Sequence, residues 1–174
     1  LVSKTAAVVL AFLSLMLFST TSKAQLLPSG NVYAGVGYAD SVDVVNRLTF
    51  RGWEGSAEDM PFHRFSYLGV VLDGSGFYRT GVTQYNLVLG PRVSKNYGKW
   101  RPFAHAMGGY QITKSGGETF HTIVEDFGGG VDRKFQLLFL KNFSWRLQFD
   151  YIHSHSLAAN QNDFRGTGGL VWRF

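Results

Sequence analysis

Trp145-Arg146-Leu147-Gln148-Phe149-Asp150-Tyr151 changes character at every step: Trp, Leu, Phe and Tyr fall on one side of an extended chain, and Arg, Gln and Asp fall on the other. A helix would scatter these groups around its axis, because its side chains return to one face about every 3.6 residues. The stretch is therefore a strand with one face suited to hydrocarbon and one suited to water. The closing segment repeats the arrangement, with Phe164, Leu170, Trp172 and Phe174 on one face and Arg165, Thr167, Gly169 and Arg173 on the other.

Six further alternating runs lie upstream: Val32 to Tyr38, Leu48 to Ser56, Phe65 to Asp73, Val82 to Val93, Phe103 to Thr113 and Thr122 to Arg133. No segment after Gln25 holds a helical apolar period for three turns, so the fold class is all-β with eight strands. Clusters of turn-forming residues separate the runs: Asp40 to Asn46, Glu58 to Arg64, Asp73-Gly74-Ser75-Gly76, Asn96-Tyr97-Gly98-Lys99, Lys114 to Glu118 and Ala158 to Asp163. The link from Phe135 to Asn142 is apolar and fits no ordinary tight turn. Pro91 falls inside the fourth run, where its missing N–H is expected to end or bulge the strand.

Residues 1–24 read as a secretory signal peptide. Lys4 supplies a positive start, Ala6 to Phe18 is an apolar run too short to span a bilayer, and Ser22 and Ala24 are small residues where a signal peptidase needs them. The expected mature domain is 25–174. A bilayer-crossing strand takes about 9–11 residues, so eight strands use roughly 80 and leave roughly 70 for connections and ends, while sixteen would not fit. An open sheet with one greasy face would expose its edges, and closure into an antiparallel up-and-down barrel removes them. Alternation does not say which face lies inside. Three features favour the transmembrane arrangement over a soluble barrel: the export signal, the aromatic-ended final strand, and a face that carries Arg146, Gln148 and Asp150 in one strand.

Composition narrows the chemistry. The chain of 174 residues has no cysteine, which excludes disulfides, thiolate metal sites and a cysteine nucleophile. Without Lys4 and Lys23 the charge balance is +3, with the basic residues scattered, so no nucleic-acid partner is expected. Arg51, Asp73, Arg92, His105, Asp126, Asp132, Arg146, Asp150, Arg165 and Arg173 gather on the polar face. In an eight-stranded barrel the interior is just wide enough for side chains, so these ten are expected to form a lumen network of ion pairs, with a narrow solute path as the alternative. Tyr33, Tyr38, Trp53, Phe62, Tyr78, Tyr97, Trp100, Trp145, Tyr151 and Trp172 suit two interfacial girdles.

Gly90-Pro91-Arg92, Pro102-Phe103-Ala104-His105-Ala106, Phe127-Gly128-Gly129-Gly130-Val131-Asp132, Asp150-Tyr151 and Gly168-Gly169-Leu170-Val171-Trp172-Arg173-Phe174 together resemble the small eight-stranded outer-membrane barrels of Gram-negative bacteria, the opacity-protein and outer-membrane-protein-A-like family. The resemblance implies an outer-membrane location, contact with outer-membrane lipid, and a terminal aromatic signal read by the barrel-assembly machinery, which maps onto Leu170, Trp172 and Phe174. With no peptidoglycan-binding domain expected after Phe174, the anchoring role of two-domain relatives is not carried over.

His153-Ser154-His155-Ser156 invites comparison with outer-membrane lipid A deacylases, which are also eight-stranded barrels using His and Ser. Adjacent residues in a strand face opposite ways, and no Glu follows Glu125, so catalysis is not expected. His153 and His155 with His105 or Asp163 are the alternative metal ligands, and rim histidines in headgroup-level water are the simpler reading. The expectation is a non-enzymatic structural or adhesive barrel without cofactor or metal. Both termini face the periplasm, an unidentified extracellular ligand is the surface partner, and Asp40–Asn46, Gly74–Gly81, Lys114–His121 and Ser154–Asp163 are outside. A lipid A-modifying enzyme or a narrow small-solute channel is the alternative.

Overall fold

The computed structural model describes residues 30–42, 47–59, 67–135, 142–155 and 160–174. Eight antiparallel strands close into one barrel: β1 (Gly30–Val42), β2 (Arg47–Asp59), β3 (Leu68–Arg79), β4 (Val82–Ser94), β5 (Trp100–Ser115), β6 (Glu118–Lys134), β7 (Phe143–His155) and β8 (Asn160–Arg173). Each strand pairs with the next, and β8 returns to β1 with Val32 opposite Trp172 and Ala39 opposite Arg165. The expected leader at 1–24 lies outside the described residues, as do 43–46, 60–64, 136–141 and 156–159 within or beside expected connections, and Phe65 and Ser66 at the expected start of the third strand.

Strands run longer than alternation alone suggests. Asp73-Gly74-Ser75-Gly76, expected as a turn, is the middle of β3. Asp73 and Ser75 point inward and are buried, while Gly76 sits beneath Trp53, whose indole Nε1 donates to the Tyr78 hydroxyl at 3.0 Å. A Cβ at Gly76 would lie 2.8 Å from that indole nitrogen, so the glycine serves a packing contact and not a turn. The turn itself is Thr80-Gly81, with Gly81 at a φ of +79°. The connection expected at Lys114–His121 likewise contracts to Gly116-Gly117, at φ +60° and +88°, the two left-handed residues that a tight hairpin of this twist demands.

Pro91 neither ends β4 nor bulges it. Leu89 opposes Gly108 and Arg92 opposes His105 in one unbroken register, and only the ladder positions between them are missing on the β5 side. The absent N–H removes pairing toward one neighbour, while Val70 still opposes Pro91 on the other.

The burial pattern fixes an inside-out barrel. Val36, Leu87, Tyr110, Ile123, Phe149 and Phe164 are more than half exposed on the outer wall, whereas the lumen holds nearly all the buried ionic groups. A soluble barrel would reverse this. A strand of 13 residues, as in β1 and β7, rises about 33 Å at a tilt of roughly 40°, enough to carry an apolar band about 25 Å tall. The chain is thus a transmembrane barrel. Its core is the lumen, where Ala39, Phe50 and Phe77 form an apolar cluster toward the loopward ends of their strands, and Val71, Val88, Met107, Val124 and Ile152 form another beside the charged groups, with Asp73 opposite Val88 and Asp126 opposite Met107 and Ile152.

Candidate functional site

The lumen charges divide into two groups along the barrel axis. Toward the end that holds Gly30 and Phe174, four arginines gather round two carboxylates. Arg92 reaches Glu58 at 3.1 Å and Asp132 at 3.6 Å, Arg101 reaches Glu58 at 3.4 Å, and Arg173 reaches Asp132 at 3.1 Å. Arg146 clasps Asp132 with two parallel bonds, Nε to Oδ1 at 2.7 Å and Nη2 to Oδ2 at 3.0 Å. The Phe103 ring attracts two of these guanidiniums, Arg92 at 3.5 Å and Arg146 at 4.7 Å from its centroid.

Loopward of Phe103 the proportions reverse. Arg165 alone meets four carboxylates: Asp150 at 2.8 Å, Asp126 at 2.9 Å, Glu54 at 3.3 Å and Asp73 at 3.5 Å. Gln148 donates to Glu54 at 2.7 Å and to Asp150 at 3.1 Å. His105 Nε2 stands 3.0 Å from Asp150 and 3.6 Å from Asp126. Each of these ions costs several kcal/mol to desolvate, a penalty offset only where partners are close and numerous. Two inward glycines make the space. A Cβ on Gly128 would collide with Asp150 and with His105 Nε2, and one on Gly130 would press the Phe103 ring at 2.8 Å.

Nine of the ten residues expected in the lumen network are there: Asp73, Arg92, His105, Asp126, Asp132, Arg146, Asp150, Arg165 and Arg173. Arg51 is not. It lies exposed on the outer wall, its guanidinium 5.7 Å from the Tyr38 ring centroid. In β2 the inward positions are Phe50, Glu54, Ser56 and Glu58, so position 51 has the outward parity whatever its charge, and its long stem lets the head reach polar surroundings. Glu54, Glu58 and Arg101 are charged members beyond those ten, and Gln148, read from the sequence on the polar face of its strand, joins them. Glu54 shares its parity with Glu58, which has the surroundings of a turn, and Arg101 precedes the expected start of its strand. Tyr33, expected in a girdle, is buried in the lumen, and Phe62 lies outside the described residues.

The terminal signal residues Leu170, Trp172 and Phe174 all face outward. The Trp172 and Phe174 rings lie 5.3 Å apart, and Phe174 exchanges backbone hydrogen bonds with Gly30 at 3.2 and 3.3 Å, sealing the β1–β8 seam.

His153 and His155 stand on the outer wall with rings 4.5 Å apart, while Ser154 is buried on the lumen side and donates to the Gln161 carbonyl at 3.3 Å. Neither histidine bonds Ser154: His153 Nδ1 lies 2.6 Å from Asn162 Oδ1, and His155 is 3.9 Å from Glu125. Ser156 lies outside the described residues. His105 and Asp163 point inward, so the wall between them and His153 and His155 excludes the metal set that the sequence offers.

No protein-family model matches the chain, and no curated protein matches it in sequence. Solved structures do match. Neisserial surface protein A superposes with a TM-score of 0.69 at 13% identity, over 83% of this chain and 97% of its own. The N-terminal β-barrel domain of Pseudomonas aeruginosa OprF gives 0.60 at 13% identity, over 85% and 98%. Ail, the attachment invasion locus protein of Yersinia pestis, gives 0.56 at 14% identity, over 86% and 100%. With its closed eight-strand topology, greasy wall and ion-filled lumen, this chain has the fold of the small eight-stranded outer-membrane β-barrels.

Proposed function

We propose that the chain is an integral outer-membrane protein whose barrel is a non-enzymatic scaffold, displaying its loopward end to surface partners and keeping both termini in the periplasm. The observation that carries the reading is the lumen itself: arginines and carboxylates cross-brace opposite strands, and the Arg92, Arg146 and Arg165 side chains fill the bore and are almost wholly buried. A bore filled by bonded side chains supports a scaffold over a solute path. Among the described residues of β7, Ser154 bonds the Gln161 carbonyl and His153 bonds Asn162, an arrangement that gives no support to acyl transfer by Ser154.

The display element is narrower than four long loops. Two loopward connections are two-residue turns, but β5 and β6 have 16 and 17 residues, several more than the roughly 9–11 a bilayer crossing needs. Their shared hairpin therefore projects beyond the apolar band, carrying Lys114, Glu118, Phe120 and His121 on strand rather than on loose chain. Such a rigid ridge is suited to docking without a large ordering cost. Ail, one of the similar structures, is described as an attachment and invasion protein, which agrees with an adhesive role here.

Fractionation joined to heat-modifiable gel migration tests location and fold together: the protein should sediment with outer membranes and shift on boiling. A tag inserted between Gly116 and Gly117 should be labelled on intact cells. A tag reachable only after outer-membrane permeabilisation would reverse the assigned orientation, and planar-bilayer conductance by the purified barrel would favour the channel.

A further inference from the structure

His105, Asp126 and Asp150 come from three neighbouring strands and place one donor atom each within 4.8 Å of one another, all three side chains at 2% exposure or less. His105 Nε2, Asp126 Oδ1 and Asp150 Oδ1 are buried and face one another, the imidazole nitrogen 3.0 Å from Asp150 Oδ1 and 3.6 Å from Asp126 Oδ1, and no group outside the triad bonds them. The opposite oxygens are fully engaged. Arg165 holds Asp126 Oδ2 at 2.9 Å and Asp150 Oδ2 at 2.8 Å, and Gln148 adds a bond to Asp150 Oδ2 at 3.1 Å. Both carboxylates are thus fixed from behind with their free oxygens turned toward the imidazole nitrogen, the kind of outer support that orients metal ligands. Gly128 keeps the spot clear, since a Cβ there would occupy it.

We propose that this triad binds a divalent first-row transition ion, with Zn²⁺ as the representative case. Bonds of about 2.0–2.2 Å in tetrahedral geometry set ligand atoms roughly 3.3–3.6 Å apart, and the His105 nitrogen lies 3.0 and 3.6 Å from its two carboxylate oxygens. One imidazole nitrogen and two carboxylate oxygens are a donor set that such ions accept. Charge points the same way. Five lumen arginines face the six carboxylates of the two groups together with buried Asp163, leaving two negative charges when His105 is neutral, and the excess lies in the group that holds the triad. A dication bound there balances the described lumen. Val124 and Ile152, two residues loopward of Asp126 and Asp150 on the same strands, cover that side with Val88 and Met107 beside them, and the Phe103 ring stacks on His105 from the other at 6.1 Å. The ion therefore enters as the barrel closes, not through the finished bore.

The test is to refold the purified chain in detergent with Zn²⁺ or with EDTA, strip loose metal with chelator, and count retained zinc per chain. About one Zn²⁺ should remain, with a higher unfolding temperature than in the EDTA-refolded sample. His105→Gln should retain at least tenfold less zinc, while the double variant His153→Gln, His155→Gln keeps it. If His105→Gln does not fold, refolding the wild-type chain with Co²⁺ decides, since a buried four-coordinate site gives visible ligand-field bands that EDTA does not erase until the barrel is unfolded. Wild-type chain without retained zinc or those bands would overturn the proposal, as would zinc that survives loss of His105 and disappears with His153 and His155.

Discussion

The two sides of a single strand obey different rules in this molecule. On β7, Leu147 and Phe149 face outward and need only be apolar, because their neighbours are lipid chains and other ring faces. Arg146, Gln148 and Asp150 face inward, and each is tied to named atoms on other strands. The wall is specified by class and the lumen by partner. Substitution on the wall should therefore scale with hydrophobicity, and substitution in the lumen with the number of polar atoms left orphaned.

The sharpest way to break this comparison is Arg165→Met. It removes the cation shared by Glu54, Asp73, Asp126 and Asp150, and loss of one partner from a buried ion cluster costs about 3–5 kcal/mol. Urea titration of the barrel in lipid vesicles should show a loss of that order, and a loss under 1 kcal/mol would mean that the lumen is wet enough to solvate four carboxylates. Next comes Phe149→Arg, a charge at the middle of β7 on the lipid side, expected to cost about 2–4 kcal/mol by the same titration. A neutral outcome would place that wall in water and defeat the inside-out assignment.

A matched pair sharpens the contrast further. Gln148→Leu and Phe149→Leu introduce the same side chain at adjacent positions. The first strips hydrogen bonds from Glu54 and Asp150 and should cost about 1–3 kcal/mol, while the second exchanges one apolar group for another and should cost less than about 1 kcal/mol. Equal values would show that side does not matter. Phe174→Ala removes a half-exposed ring from the seam, worth about 1 kcal/mol in vitro. If the terminal aromatic is read during assembly, the amount reaching the outer membrane should fall several-fold more than that stability change explains, and normal accumulation would remove the assembly role. Arg51→Gln is the smallest effect. It loses one exposed cation–π contact, about 0.5–1 kcal/mol, and a larger loss would put Arg51 back among the structural ions.

Much of the barrel is legible in the order of its residues, and the illegible parts share a physical cause. Period two is enforced by the pleat, so the strand class and the outward-facing set can be read directly from Trp145–Tyr151 and Phe164–Phe174. Strand ends are not enforced by the pleat. Asp73-Gly74-Ser75-Gly76 has turn composition, yet Gly76 clears room for cross-strand neighbours, and only the positions of Trp53 and Tyr78 reveal that. Arg51 departs from expectation for a related reason: its charge suggests the lumen, but parity within β2 puts it on the wall.

By itself the sequence determined the strand class, the number of strands, the faces of the clearest strands and the polar residues on one of them, because side-chain alternation is a local property of extended chain. Only the tertiary structure decided which charges meet. Arg165 lies 39 residues from Asp126, 92 from Asp73 and 111 from Glu54, and the stagger of a closed barrel, which no single strand encodes, sets them side by side. The same stagger turns His105, Asp126 and Asp150, each an ordinary inward residue on its own strand, toward one point.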